Sequence, residues 1–135
     1  MMPIAGSLPG WLLVALGSAL GGVARYGAMR LWPIVPGQWP TATMLVNLLG
    51  SFLIGVLSVL FALRSAAGAE PLRLFWMAGV LGGFTTYSAF ALETVLLAGQ
   101  GLAWRAGAYL LVTVFGCAAA ALAGRALASM MILET

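Results

Sequence analysis

Four long apolar stretches, separated by short breaks, restrict more than any other feature how this chain can fold. They cover about residues 11–29, 41–63, 72–98 and 102–131 of the 135-residue sequence. A helix needs roughly 20 predominantly apolar residues to cross the hydrocarbon core of a bilayer, so each stretch is long enough to span it. Lipid offers no hydrogen bonds to exposed backbone, and helices satisfy their own. The sequence therefore predicts an all-α membrane protein, a single domain of four transmembrane helices.

The breaks between the stretches have the composition of membrane-surface loops. The first, LWPIVPGQWP, contains three prolines and two tryptophans, and tryptophan is enriched where a membrane meets water. The second, RSAAGAEPLR, contains a proline and charged residues. The third, AGQGLAWR, is short, and short connections make neighbouring helices antiparallel. The N-terminal MMPIAGSLPG lacks the features of a cleaved signal peptide, so the first stretch is expected to be a permanent helix.

The small number of charged residues excludes several classes of protein. Charged residues make up 7% of the chain and hydrophobic residues 63%, whereas soluble domains contain about 25% charged residues. The six cationic residues, all arginine, are scattered rather than clustered, so no nucleic-acid partner is expected. The chain has no histidine, no aspartate and no glycine loop leading to a lysine, so no enzyme activity is expected.

The arginines are divided equally between the two ends of the predicted bundle. Three fall on the side of the chain termini and three on the other, namely Arg64, Arg73 and Arg125 against Arg25, Arg30 and Arg105. The positive-inside rule then favours neither orientation. Two chains inserted in opposite directions could pair antiparallel about an axis in the membrane plane. The balance predicts dual topology and an antiparallel dimer; the alternative is that a partner or the process of translation sets one orientation.

Small residues occur at the spacing that brings membrane helices into close contact. Gly17 and Gly21 form a G-x-x-x-G pair in the first stretch, and Gly116, Ala120 and Gly124 recur every fourth residue in the last. Such positions let helix backbones approach each other in lipid. Four helices still make a thin bundle, so a pathway for a solute is expected where two chains meet.

Polar side chains recur every fourth residue on two of the predicted helices. The second helix carries Thr43, Asn47 and Ser51, and the fourth carries Tyr109, Thr113 and Cys117. Residues at this spacing lie on one face of a helix. The Asn47 amide offers two donors and one acceptor, which suits either a pore-facing donor or a hydrogen bond between helices. The single cysteine is interpreted as a small packing residue.

The third stretch contains the most unusual segment, GVLGGFTTYSAFALE, which covers residues 79–93. Glycine weakens a helix by about 1 kcal/mol relative to alanine, and three glycines precede a run of hydroxyl residues here. This pattern predicts a helix that is broken near its middle. Unwound backbone at membrane depth must line a cavity or be buried in protein, and its free carbonyls can bind a cation. The carbonyls of Gly82 and Thr85 are therefore candidate ligands of a small metal ion.

Two aromatic residues and two charged residues complete the set of candidates. Tyr87 and Phe90 lie three residues apart, on one helix face, and the positive edges of their rings suit a small anion, although packing is the alternative. Arg25 either draws an anion into a vestibule or extends to the lipid headgroups. Glu93 is expected to pair with an arginine, to belong to a polar network, or to carry a proton.

Three segments resemble the Fluc (CrcB) family of fluoride channels, and the resemblance covers essentially the whole chain. They are GGVARY at 21–26, TATMLVNLLGSFLIG at 41–55 and GVLGGFTTYSAFALET at 79–94. The resemblance implies an antiparallel homodimer with two separate fluoride pores in the cell inner (plasma) membrane. It implies passive export of fluoride, which lowers the cytoplasmic concentration, and a structural sodium ion at the dimer centre that is not transported.

The resemblance also implies a role for particular residues. The fluoride pore corresponds to Asn47, Tyr87, Phe90, Thr43, Ser88, Tyr109 and Thr113. Arg25 corresponds to a vestibule residue, and Gly82 and Thr85 to the residues whose carbonyls bind sodium. The chain departs from the family pattern at two positions, where Tyr87 replaces a phenylalanine and Ala89 a threonine. Cys117 stands where a hydroxyl residue is often found.

Two other functions remain open on the residues alone. A small proton-coupled multidrug exporter would need an acid within a span; the first span has none, so Glu93 would have to serve. A structural subunit without transport activity would use Asn47 and the aromatic pair for packing only. Fluoride efflux from liposomes separates a fluoride channel from both alternatives.

Overall fold

The computed structural model describes residues 8–63 and 66–133, and the regular elements in these residues are helices. They are α1 (Gly10–Leu31), α2 (Thr41–Ala62), α3 (Ala66–Leu72), a π-helix (Arg73–Leu81), α4 (Gly82–Phe84), α5 (Tyr87–Gly99) and α6 (Ala103–Leu133). Arg64, Glu134 and the first seven residues, on which some of the predictions bear, lie outside the described residues.

Four helical segments are long and apolar enough to cross a membrane. They are Gly10–Leu31, Thr41–Ala62, Gly68–Gly99 and Ala103–Leu133. The predicted all-α architecture with four apolar helices of membrane-spanning length is thereby confirmed. The third segment begins earlier than predicted because Pro71, assigned to a loop from the sequence, lies inside α3. Proline removes one helical hydrogen bond, and the wider π-helical turns begin two residues after it.

Close glycine contacts join α1 to the first half of the third segment. A Cβ atom at Gly17 would collide with the carbonyl of Phe75, and one at Gly21 with the carbonyl of Val80. The two backbones approach so closely that any side chain at these positions would separate them. The G-x-x-x-G pair predicted to mediate packing therefore does so, and it anchors α1 to the π-helix.

A second close contact joins α2 to α6. A Cβ atom at Gly55 would meet the carbonyl of Ala121, and one at Gly124 the carbonyl of Phe52. Of the small residues predicted on the fourth helix, Gly116, beside Leu48, and Gly124 thus face α2. Because α2 also meets the third segment and α5 packs on α6, α2 and α6 form one wall of the space inside the bundle.

The chain leaves the helical conformation for two residues within the third segment. Thr85 has φ −79° and ψ 160°, and Thr86 has φ −152° and ψ 116°, both extended. The side chains satisfy nearby groups: Thr85 Oγ1 donates to the Leu81 carbonyl at 2.9 Å, and Thr86 Oγ1 accepts from the Ala89 amide at 3.3 Å. Threonine at the N-cap stabilises the start of a helix, so α5 begins at Tyr87.

Candidate functional site

A cavity of about 320 Å³ opens beside the two extended residues, between α2, the third segment and α6. Four of the side chains predicted to form the site line this cavity, namely Asn47, Tyr87, Phe90 and Thr113, and Thr85 lines it too. Gly82, Ser51 and Cys117 line it as well. The second and third residues of each polar stripe, on α2 and α6, therefore face one space. No arginine or carboxylate is among the described residues that line it.

Asn47 binds both backbone polar groups of Thr86. Its Nδ2 donates to the Thr86 carbonyl at 3.0 Å, and its Oδ1 accepts from the Thr86 amide at 2.8 Å. Both side chains are buried. A primary amide has two N–H donors, so this pairing leaves one donor of Asn47 for another partner. The sequence left two interpretations of Asn47. The hydrogen bond between helices is present. Because Asn47 also lines the cavity, its role as a pore-facing donor stays a prediction.

The pairing of Asn47 with Thr86 changes the hydrogen bonding of the Gly82 carbonyl. In a continuous helix the amide of Thr86 would bond to the carbonyl of Gly82, four residues earlier. Here that amide binds Asn47 Oδ1 instead. The Gly82 carbonyl has thus lost its regular helical donor at a point where the chain lines the cavity. Together with the extended backbone at Thr85, this presents oxygen atoms of the kind that hard cations prefer.

The aromatic pair is in edge contact, with very different exposure of the two rings. The centroids of Tyr87 and Phe90 are 5.7 Å apart with an interplanar angle of 61°. Phe90 is 5% exposed and its centroid lies 5.2 Å from that of Tyr109. Tyr87 is 78% exposed. Phe90 therefore belongs to the apolar core between α5 and α6, whereas Tyr87 stands at the open side of the cavity.

Glu93 accepts hydrogen bonds from two hydroxyl groups on different helices. Thr43 Oγ1 donates to Oε1 at 2.6 Å, and Tyr109 OH donates to Oε2 at 2.7 Å. All three side chains are buried. Of the roles expected for Glu93, membership of a polar network is the one present. Thr43 and Tyr109, predicted to belong to the pore, meet at this carboxylate and are not among the residues that line the 320 Å³ cavity.

The remaining predicted residues lie apart from one another. Ser88 is exposed, with Oγ 3.4 Å from Thr86 Oγ1. Arg25 is half-buried on α1 and does not line the cavity. Thr113 does line it and is 3% exposed, yet its Oγ1 has no hydrogen-bond partner among the described residues. A buried hydroxyl without a partner is unusual in folded proteins.

A second cavity, of about 150 Å³, lies beside Glu93 and under the loop between α1 and α2. Arg105 ties this loop down, because its Nη1 donates to the Gly37 carbonyl at 2.6 Å. Glu93 lines this cavity, and its partner Tyr109 touches Phe90, which lines the larger one. The Glu93 network therefore lies next to both cavities.

The sequence did not predict two features of the site. The first is the part played by Thr86, whose backbone is held by Asn47 39 residues away. The second is the hydrogen-bond network formed by Thr43, Tyr109 and Glu93. The four-residue spacing of polar side chains marked the correct faces of α2 and α6, but no local signal shows which group each side chain contacts.

Four helices of membrane-spanning length with a cavity between them indicate a multi-pass membrane protein. The family model described as "CrcB-like protein, Camphor Resistance (CrcB)" matches residues 12–125. This chain belongs to that family, and the resemblance seen in the three sequence segments is confirmed.

Several relatives of known name match most of the chain. A protein of Anaeromyxobacter dehalogenans is 52% identical over 115 residues, which are 83% of this chain and 89% of the relative. One of Phenylobacterium zucineum is 45% identical over 119 residues, 87% and 93% of the two chains. One of Methylobacterium is 41% identical over 121 residues, 90% and 94%. Each is named "Fluoride-specific ion channel FluC".

Proposed function

We propose that this protein is a fluoride-specific ion channel that lets fluoride leave the cytoplasm passively. One observation carries the proposal: Asn47, Tyr87, Phe90 and Thr113, which lie on three segments, surround one cavity at the level of the extended residues. The name shared by the relatives supports fluoride as the ion. The protein is accordingly a channel and not an enzyme.

The lining of the cavity suits a small anion that must be bound and then released. One N–H of Asn47 supplies a donor, and the rings of Tyr87 and Phe90 supply positive edges. No cationic side chain is among the described lining residues. Conduction requires binding that is weak enough for the ion to leave. Partial positive charges replace the water of the ion without holding it as a full charge would.

The exposed polar residues of the third segment support a dimer. Tyr87 is 78% exposed and Ser88 is also exposed, on a protein whose outer surface is otherwise largely apolar. Polar side chains in lipid are costly unless they face protein or water. We propose that a second copy in the opposite orientation covers this face, which makes the protein a dual-topology, antiparallel homodimer. The equal division of the arginines is consistent with insertion in both orientations.

The same face is our proposed location for a structural sodium ion, which is not transported. The carbonyls of Gly82 and Thr85 would hold it, because Gly82 has lost its helical donor and Thr85 is extended. No cluster of three or more histidine, cysteine, aspartate or glutamate side chains occurs among the described residues. The available oxygen ligands are thus neutral and suit a monovalent cation better than a transition metal. Such an ion would stabilise the break in the third helix electrostatically.

We assign the protein to the cell inner (plasma) membrane, where a passive fluoride pathway lowers the internal concentration. The test is fluoride efflux from liposomes that contain the purified protein, measured with a fluoride electrode. We expect fast efflux that accelerates when valinomycin and potassium relieve the charge imbalance, and almost no chloride efflux. Electroneutral efflux that is insensitive to valinomycin would contradict a channel.

The alternative, a proton-coupled multidrug exporter, is less well supported. It requires Glu93 to exchange protons for cationic drugs, but this carboxylate is buried and bonded to two hydroxyl groups. Drug resistance that depends on the protein and disappears in Glu93→Gln would favour the exporter. Fluoride resistance without drug resistance would favour the channel.

A further inference from the structure

The loop between α1 and α2, residues 32–40, is fastened to the start of α6 at two points. Arg105 Nη1 donates to the Gly37 carbonyl at 2.6 Å. Two residues further along the loop, the ring of Trp39 meets that of Tyr109, with the centroids 6.3 Å apart and an interplanar angle of 63°. Arg105 and Tyr109 are one helical turn apart, so both lie on the face of α6 that the loop covers.

The backbone on either side of Trp39 is held in a defined conformation. Gly37 has φ +77°, which favours glycine, and the Gln38 amide closes a turn by donating to the Val35 carbonyl at 3.0 Å. At the start of α2, the N–H and the hydroxyl group of Thr41 donate to the Trp39 carbonyl at 2.8 and 3.2 Å. The half-buried side chain of Trp39 is thus presented to α6 by an ordered loop.

Tyr109, which this loop contacts, is fully buried. Its ring also contacts Phe90, with the centroids 5.2 Å apart, and Phe90 in turn contacts Tyr87. Four aromatic rings therefore follow one another from the open side of the larger cavity to the loop. The Tyr109 hydroxyl donates to Glu93 Oε2 at 2.7 Å, so the position of this ring also sets one hydrogen bond of the Glu93 network.

Tyr109 connects residues that border two different cavities. Phe90 lines the larger cavity, Glu93 lines the smaller one under the loop, and Tyr109 contacts both residues. A phenol offers a hydroxyl donor and the positive edge of a ring, which are groups that a small anion can use. The orientation of the Tyr109 ring determines where both of these groups point between the two cavities.

We propose that Trp39 and Arg105 are positioning residues for fluoride conduction, which hold Tyr109 so that its hydroxyl group and ring edge meet the ion between the two cavities. The inference rests on the proposed function. Arg105 fixes the loop through Gly37, and Trp39 fixes the ring of Tyr109. Neither positioning residue is among the described residues that line the cavities, so both act on the ion through Tyr109.

The experiment measures the fluoride current of single channels in planar bilayers. A variant that merely folds poorly gives fewer channels but does not change the current of each. Aromatic edge contacts shift an equilibrium by about two- to tenfold, so we expect Trp39→Leu to lower the current by about this factor. Trp39→Phe, which keeps a ring, should retain most of it. Trp32→Leu, at an exposed position of the same loop, is the matched control and should carry the current of the wild type.

Arg105 tests the same set of contacts without changing a ring. Arg105→Met removes the hydrogen bond to the Gly37 carbonyl and should lower the current, whereas Arg105→Lys keeps a donor and should retain more of it. Arg125→Met, whose hydrogen bond to Ser58 is exposed, is the control for loss of a positive charge. The two Arg105 variants decide the matter even if Trp39→Leu forms no channels.

Two measurements show whether the loop acts through Tyr109. In the Tyr109→Phe background, Trp39→Leu and Arg105→Met should lower the current by a smaller factor than in the wild type, because the hydroxyl group is absent. In protein labelled with fluorotyrosine, the fluorine NMR resonance of Tyr109, identified by its loss in Tyr109→Phe, should move in Trp39→Leu and Arg105→Met. It should stay in place in the Trp32→Leu and Arg125→Met controls.

The outcomes separate this proposal from the proposed function. Unchanged currents in Trp39→Leu and Arg105→Met, or an unmoved Tyr109 resonance, would overturn the proposal and leave the proposed function standing. Equal losses with and without the Tyr109 hydroxyl would also overturn it, since the loop would then act by another route, such as attraction of the anion by the Arg105 charge. A wild type that carries no fluoride current would instead refute the proposed function, and with it any role of the loop in conduction.

Discussion

The side-chain amide of Asn47 forms two hydrogen bonds with the backbone of Thr86, of 3.0 and 2.8 Å. The amide thereby acts as a neighbouring strand would, and it satisfies the second of the two residues that have left the adjoining helices. A buried backbone group without a partner is costly. Asn47 therefore determines where the third segment can be extended, in addition to any contact that it makes with an ion.

Replacement of Asn47 by Asp should abolish fluoride efflux and destabilise the fold. The carboxylate can accept from the Thr86 amide but cannot donate to the Thr86 carbonyl, and it brings a buried negative charge. Loss of one buried partner costs about 1–3 kcal/mol. Thermal unfolding in detergent and liposome efflux measure the two effects. Ser129→Ala, at an exposed position of α6, is the control; equal stability of both variants would contradict the role of Asn47.

Gly50 should not tolerate alanine, because a Cβ atom at this position would overlap the methyl group of Thr85. Overpacking of this kind costs about 1–3 kcal/mol, and here it would push the extended segment away from α2. We expect Gly50→Ala to lose efflux and to unfold at a lower temperature. Gly22→Ala is the matched control, because no heavy atom lies within 4 Å of a Cβ at Gly22.

A second substitution makes the test of Gly50 specific. Thr85→Ser removes the methyl group that collides and keeps the hydroxyl that bonds to Leu81. We expect Gly50→Ala combined with Thr85→Ser to recover most of the stability and efflux of the wild type. If the double variant is as defective as Gly50→Ala alone, the collision is not the cause.

The two hydroxyl groups that donate hydrogen bonds to Glu93 should depend on each other energetically. Thr43→Val or Tyr109→Phe leaves one carboxylate oxygen without its donor, which costs about 1–3 kcal/mol. Groups within one hydrogen-bond network show coupling of about 0.5–3 kcal/mol in double-mutant cycles. Unfolding of the two single variants and the double variant gives the coupling. Strictly additive losses would mean that the hydroxyl groups bind Glu93 independently.

Tyr87→Phe should keep the fold and increase the rate of fluoride efflux. The ring contact with Phe90, at 5.7 Å between centroids, does not depend on the hydroxyl group, and the phenol adds a dipole at the open side of the cavity. Phe90→Ile removes a ring edge and should reduce efflux. An unchanged rate in Phe90→Ile would show that the aromatic pair serves packing only.

Arg105→Met should loosen the loop over the smaller cavity. It removes the hydrogen bond to the Gly37 carbonyl, and hydrogen bonds from charged groups contribute about 1.5–3 kcal/mol. We expect faster proteolysis within residues 32–40. Arg125→Met, which loses an exposed hydrogen bond to Ser58 at the other end of the bundle, should leave this cleavage rate unchanged.

Much of the architecture followed from the sequence alone, because it depends on local composition. The lengths of the apolar runs predicted four helices of membrane-spanning length, and their breaks agree with the structure within a few residues. The exception is Pro71, where the residue type suggested a loop and the helix passes through it. Gly17 and Gly124 were recognised as contact positions because small residues in lipid have few other uses.

The partners of each polar group were decided only by the tertiary structure. The four-residue spacing placed Thr43 and Asn47 on one face, yet Thr43 binds Glu93, 50 residues away, while Asn47 binds Thr86, 39 residues away. Spacing along a helix sets the face on which a side chain lies, but the rotation and depth of each neighbouring helix set what that face meets. Those depend on packing across the whole bundle, and so the cavity, unlike the spans, could not be assembled from local pattern.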